Sequence, residues 1–257
     1  MEHITLEKYG YAAIITIDRP PANALSSDLI QELSKHLDDL EHDQDIRAIL
    51  LHGEGRFFSA GADIKEFTSI KNGDDFSKLA VKGQDVFEKI ENFPKPIVAA
   101  IHGAALGGGL ELAMACHIRL VSENAKLGLP ELQLGLIPGF AGTQRLPRLV
   151  GAAKAAEMLF TSDPISGEEA VQRGLANQAF PEEQLLEKAK EMVLKIAKKS
   201  PISIKAVIEL LRFTKTEQFY EGVKQEAINF GHVFDSEDGK EGIRAFLEKR
   251  KPDFKGK

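Results

Sequence analysis

The run HGAALGGGLELAMAC, from His102 to Cys116, carries one carboxylate, Glu111, just after three consecutive glycines and inside apolar sequence. A helix opening at those glycines leaves its first backbone N–H groups unpaired and aimed beyond the helix end, where negative charge is favoured. Glycines also let a ligand approach the main chain, because no side chain intervenes. Glu111 then has two readings. As a first-turn carboxylate it complements the helix dipole, a gain of about 0.3–1 kcal/mol. Facing a substrate in an apolar cavity, it would favour its protonated form and serve in proton transfer.

Two other stretches have similar chemical potential. In SAGADIKEF the small residues Ala60, Gly61 and Ala62 allow a backbone N–H to be presented to a ligand, and Lys65 is placed to meet a phosphate. An ordinary surface loop would look much the same. In LPELQLGLIPGFAGTQRL, Glu131 follows Pro130 among apolar and turn-forming residues. A charge there needs a partner or a purpose. An ion pair with Arg145 or Arg148 would supply the first, and chemistry on a ligand the second.

The elements that must position these groups follow from periodicity. Ile4 to Tyr9 and Ala12 to Asp18 alternate as a strand pair, and Leu29, Ile30, Leu33, Leu37 and Leu40 recur at helical spacing between Ser27 and Asp43. IRAILLHG, FPKPIVAAIHG (ending at Gly103), HIRLVSE and GLANQAF read as further strands, with helices over 74–92 and 110–115. The segment LGLPELQLGLIPGFAGTQRLPRLVG is rich in glycine and proline, which predicts an irregular loop leading into a helix near Gly142. Beyond it the pattern is helical over 152–160, 166–173, 182–199, 202–230 and 235–249. The expectation is an α/β core with a helical C-terminal region.

Composition narrows the function classes. The 257 residues are 43% hydrophobic with a net charge of −6, enough for a large core and the wrong sign for general nucleic-acid binding. One cysteine, Cys116, excludes an internal disulfide and reads as a buried small hydrophobe in a reducing, cytoplasmic setting. The N-terminus shows no secretory signal. IVAAIHGAALGGGLELAMAC has the length of a membrane span, but His102 and Glu111 would be costly within one. The 7 histidines show no zinc-type spacing, so no metal is expected. Gly107 and Gly109 resemble a dinucleotide-binding turn, yet Leu112 stands at the third glycine position and Glu111 would repel a pyrophosphate.

Taken together, FFSAGADIKEF, KPIVAAIHGAALGGGLELAMACHIRL and AKLGLPELQLGLIPGFAGTQRLPRLVG resemble, in order, the crotonase (enoyl-CoA hydratase/isomerase) superfamily, and the likeness continues to AFLEKRKPDF near the C-terminus. The resemblance implies a spiral of ββα units over 1–195 and a helical oligomerisation region over 196–257, commonly assembled as a homohexamer of two trimers. It implies an oxyanion hole for a coenzyme A thioester from the N–H groups of Ala62 and Gly108. It makes Glu111 the group that holds and deprotonates water, and Glu131 the donor to the alpha carbon, with the division of labour less defined than their joint action. Ala60, Asp63, Ile64, Lys65 and Gly139 would line the substrate site, with Phe230 and Lys249 contributing from the C-terminal helices or a neighbouring subunit.

The implied activity is hydration of a trans-2-enoyl-CoA in fatty-acid beta-oxidation, with no cofactor beyond the coenzyme A of the substrate. Double-bond isomerisation or hydration of a branched or functionalised enoyl-CoA is the alternative, and a non-catalytic RNA-binding role would need a basic surface that the charge balance does not offer. One departure stands out: many family members read GxGG where this chain has Gly139, Phe140, Ala141 and Gly142. If Ala141 takes a positive φ, the loop shape is expected to adjust.

Overall fold

The computed structural model describes residues 3–67, 73–214 and 236–257. Strands β1 (Ile4–Tyr9) and β2 (Ala12–Ile17) form the expected antiparallel hairpin, with Tyr9 opposite Ala12. Strands β3 (Ala48–Gly53), β4 (Ile97–Ile101), β6 (Ile118–Ser122) and β9 (Gln178–Phe180) then add in parallel, giving a sheet of order β1-β2-β3-β4-β6-β9. The parallel strands read as continuous apolar runs because both faces of the sheet are covered.

Helix α8 (Glu182–Ala197) covers one face, setting Leu185, Ala189 and Val193 against Ile14, Leu50, Val98 and Leu120. The opposite face supports the main core. There α1 (Ser27–His42) contributes Leu29, Leu33, Leu37 and Leu40, the side chains its spacing selects, and α3 (Gly73–Glu91) contributes Phe87 and Ile90. The α1 start is fixed by Ser26, whose hydroxyl accepts the Leu29 N–H at 3.2 Å.

A second sheet corrects the sequence-based map. β5 (Ala104–Leu106) lies beyond the expected strand end at Gly103, and β7 (Lys126–Gly128) lies in and just before the segment expected to be an irregular loop. With β8 (Ile165–Ser166) they form the order β5-β7-β8. At three residues each, β5 and β7 are too short to carry a period-two signal. The chain turns out of β4 at Gly103, whose φ is 57°.

This second sheet makes the chain a spiral. β3 is followed by Ser59, which bridges to Ala105 of β5, and then by α2 (Ile64–Phe67) and α3. β4 is followed by β5 and α4 (Gly108–Ala115); β6 is followed by β7, a 3₁₀ turn over Glu131–Leu134, α5 (Gly142–Val150) and α6 (Ala152–Thr161). Each turn of ββα thus places a strand in the first sheet and a strand, or for the β3 turn the Ser59 bridge, against the second before its helices, which is the expected α/β architecture.

The remaining helices are α7 (Gly167–Gln172), α9 (Pro201–Phe213) and α10 (Glu237–Leu247). The helix expected over 202–230 is observed as α9, and its continuation from 215 lies outside the described residues. The boundary placed after residue 195 falls in the last turn of α8. Among the described residues no helix is long and apolar enough to cross a membrane.

Candidate active site

Two successive turns of the spiral pass the same corner, each through a glycine with positive φ: Gly61 at 106° and Gly107 at 51°. Leu25 pins the first. Its N–H donates to the Gly61 carbonyl at 2.8 Å, and its carbonyl accepts the Asp63 N–H at 3.0 Å. In that extended pairing the intervening Ala62 N–H turns the other way, and among the described residues it meets no acceptor. Gly108 opens α4, so its N–H has no intrahelical partner. A Cβ built on Gly108 would lie 3.3 Å from the Ala62 nitrogen, so the two amides are neighbours. Paired free N–H groups of this kind suit an oxygen on which negative charge develops.

Helix α4 is held at its other end by Arg119, whose Nε donates to the Leu175 carbonyl at 2.6 Å and whose Nη1 donates to the Cys116 carbonyl at 2.6 Å. A buried cation there complements the C-terminal end of the dipole. Cys116 is buried as expected, and burial pushes its thiol up to about 12, far from the thiolate form.

Glu111 sits in the first turn of α4 with only 1% of its surface exposed. Its Oε1 accepts the Phe140 N–H at 2.8 Å and the Gly142 N–H at 2.6 Å. Burial, reinforced by the charge of Glu131, raises its pKa to about 7 against the pull of those two donors. Glu131 reaches the same space from the 3₁₀ turn after β7. A Cβ on Gly107 would lie 3.0 Å from its Oε1, its Oε2 is buried with no hydrogen-bond partner, and burial raises its pKa too. Two carboxyl groups from different turns of the spiral therefore face one cavity, and burial raises the pKa of each.

That cavity holds about 120 Å³ and is walled by Ala62, Gly108, Glu111 and Glu131, with Phe140 and Leu79 among its apolar sides. Of the residues expected at the site, Ala60, Ala62, Ile64, Gly108, Glu111, Glu131 and Gly139 all line it. Asp63 and Lys65 do not. Asp63 accepts from Arg19 at 2.5 Å, an ion pair that holds its carboxyl below the usual range, and Lys65 is an exposed residue of α2. Asp63 is drawn to Arg19, and Lys65 points away from the cavity that its neighbour Ile64 reaches. Lys249 is exposed beyond α10 and does not line the cavity; Phe230 lies outside the described residues.

Neither arginine considered as a partner for Glu131 takes that role. Arg145 bonds Glu91 at 3.0 Å and the Phe140 carbonyl at 2.7 Å, and no pairing of Arg148 with Glu131 is found among the described residues. Ala141 does adopt the left-handed conformation, at φ 70° and ψ 24°, so an alanine occupies backbone space that favours glycine. The distortion turns the flanking N–H groups of Phe140 and Gly142 onto Glu111. Those two donors were not anticipated from sequence; the glycines around Phe140 were their only trace.

Comparison with known proteins agrees with this geometry. The family profile "Enoyl-CoA hydratase/isomerase" matches residues 7–257. A "Probable enoyl-CoA hydratase" of Bacillus subtilis (strain 168) is 60% identical over 257 residues, covering 100% of both chains. A "Short-chain-enoyl-CoA hydratase" of Clostridium acetobutylicum is 40% identical over 98% of this chain and 97% of that one. The crystal structure of an enoyl-CoA hydratase from Bacillus anthracis superposes with a TM-score of 0.95 at 37% identity, covering 100% of each chain. By sequence, spiral fold and the corner that joins two free amides to the carboxyls of Glu111 and Glu131, the chain belongs to the enoyl-CoA hydratase/isomerase family.

Proposed function

We propose that this protein is an enoyl-CoA hydratase that adds water to a trans-2-enoyl-CoA, giving the 3-hydroxyacyl-CoA, as a step of fatty-acid beta-oxidation. The observation that carries this reading is the pair Glu111 and Glu131 facing one cavity beside the Ala62 and Gly108 amides. The thioester oxygen accepts from those two N–H groups, which meet the charge that develops as water adds. Glu111, ionised, holds the water and takes one proton while the oxygen bonds to the beta carbon. Glu131, protonated, gives its proton to the alpha carbon, so one water is consumed and the carbon–carbon double bond becomes single. Proton exchange between the two carboxyls and solvent resets the site. The reverse sequence is dehydration.

The cavity of about 120 Å³ has room for a short enoyl group, and relatives named for short-chain and crotonyl substrates support that size. The acyl-CoA is the only partner the reaction requires. A homohexamer of two trimers in the cytoplasm is part of the proposal, supported by exposed Val207 and Leu211 on α9 and Ile243 on α10 and by the lone buried thiol of Cys116. Sedimentation showing an active monomer would remove the assembly.

The test of the reaction mixes the protein with crotonyl-CoA in buffer containing a chelator and follows the conjugated absorbance and the product mass. A gain of one water is expected. Conversion of a 3-enoyl-CoA at constant mass, without hydration of crotonyl-CoA, would replace the proposal by isomerisation.

A further inference from the structure

Helix α3 spans 19 residues and carries a glycine, Gly83, in its interior. A mid-helix glycine is unfavourable relative to alanine. The structure gives a reason for it. A Cβ at Gly83 would fall 2.3 Å from Cε1 and 2.5 Å from Cδ1 of Phe140, closer than any side chain tolerates. The other edge of the same ring faces Gly108, where a Cβ would stand 3.1 Å from Cε2. Phe87, one turn further along α3, meets the ring edge-on with centroids 5.2 Å apart. The Phe140 ring is thus seated between a notch in α3 and the start of α4.

The main chain around that ring is the part that touches Glu111. Phe140 donates its N–H to Oε1, and its carbonyl accepts from Arg145, which pairs with Glu91 of α3. The neighbouring Gly139 carbonyl accepts from Gln84 at 2.8 Å. Gly83, Gln84, Phe87 and Glu91 recur at helical spacing, so one face of α3 grips the loop 139–142 through a ring, a carbonyl and an arginine. Ordinary core packing would need neither the glycine notch nor polar clamps on both sides of a single aromatic residue.

We propose that Phe140 is a positioning residue for Glu111, with Gly83 as the seat that fixes its ring and so the direction of the two N–H groups on Oε1. This rests on the reading of Glu111 as the group that holds the water. Both N–H groups favour the ionised carboxylate, so displacing them raises its pKa. They also fix its oxygen relative to the reacting carbon, where a misplacement of about 1 Å can cost on the order of 100-fold in rate.

The test is Gly83→Ala, a change that favours a helix in isolation but forces the ring to move. With crotonyl-CoA, kcat is expected to fall at least about tenfold with KM changed less than about threefold, and the ascending limb of the kcat–pH profile is expected to move to higher pH. Adding Phe140→Leu removes the rigid ring and its Cε1, leaving methyl groups that can rotate away from the new Cβ, so the double variant should match Phe140→Leu alone in kcat and in limb position. Wild-type kcat in Gly83→Ala, or a lower kcat with an unmoved limb, would overturn the proposal by leaving α3 a purely structural role. Should Gly83→Ala not fold, Phe140→Leu carries the test by itself, with the same fall in kcat and the same upward shift expected and an unmoved limb refuting them. Failure of the underlying reading is seen separately, as near-normal turnover in Glu111→Gln.

Discussion

Replacing Glu111 with glutamine should stabilise the protein while abolishing its turnover, and the stabilisation should appear only as pH rises. The buried carboxyl has a pKa of about 7 against an ordinary 4.5. Between those values the folded chain keeps a proton that the unfolded chain has lost, so stability falls with increasing pH across that window. Two of the two and a half units lie between pH 5 and pH 7. At ~1.36 kcal/mol per unit, about 2.7 kcal/mol of stability is lost there. Glutamine resembles the protonated acid and does not titrate. Glu111→Gln should therefore be close to the parent in stability at pH 5 and more stable by about 2–3 kcal/mol at pH 8, a rise of roughly 5–10 °C in Tm for a chain of this length. Thermal unfolding of both proteins across pH 5 to 8.5 reads the difference directly. A Tm difference that does not change with pH would refute the assignment of a costly buried charge to Glu111.

The same pair of carboxyls should shape the rate. With Glu111 required ionised, kcat with crotonyl-CoA should rise through about pH 7, and Glu131→Gln should lower it at least about 100-fold; a profile with no rise, or near-normal turnover in the variant, would remove that assignment. Ala62→Pro deletes an N–H that meets no acceptor among the described residues, so kcat should drop on the order of 100- to 1000-fold with the circular dichroism spectrum unchanged. Ala141→Gly relieves a left-handed alanine and should leave stability equal or up to about 1 kcal/mol higher; a clear loss of stability in urea unfolding would show that the methyl group packs favourably.

Much of this site is legible in the chain because its chemistry sits in short motifs. Glu111 after three glycines and Glu131 after Pro130 are visible as charges in apolar sequence, and α1 announces itself through Leu29, Leu33, Leu37 and Leu40. What brings them together is less visible. β5 and β7 build the corner from three residues each, below the length at which alternation registers. The partner of Arg145 is Glu91, a residue 54 positions away whose proximity depends on helix packing. Asp63 and Lys65 flank Ile64, which lines the cavity, and still do not line it themselves, because Arg19 holds Asp63 and successive helical positions point in different directions. The Phe140 seat depends on one glycine in a helix, which reads locally as an imperfection.

The location of Ala62 and Gly108 has a consequence for how such a chain can vary. Each amide belongs to a different winding of the coil, so their separation is set by its pitch rather than by the length of intervening sequence. Insertions between β3 and β4, or after β7, can lengthen the outer connections without altering that pitch. The scaffold can therefore exchange peripheral segments, and with them the shape offered to the acyl tail, while the anion-binding corner keeps its dimensions.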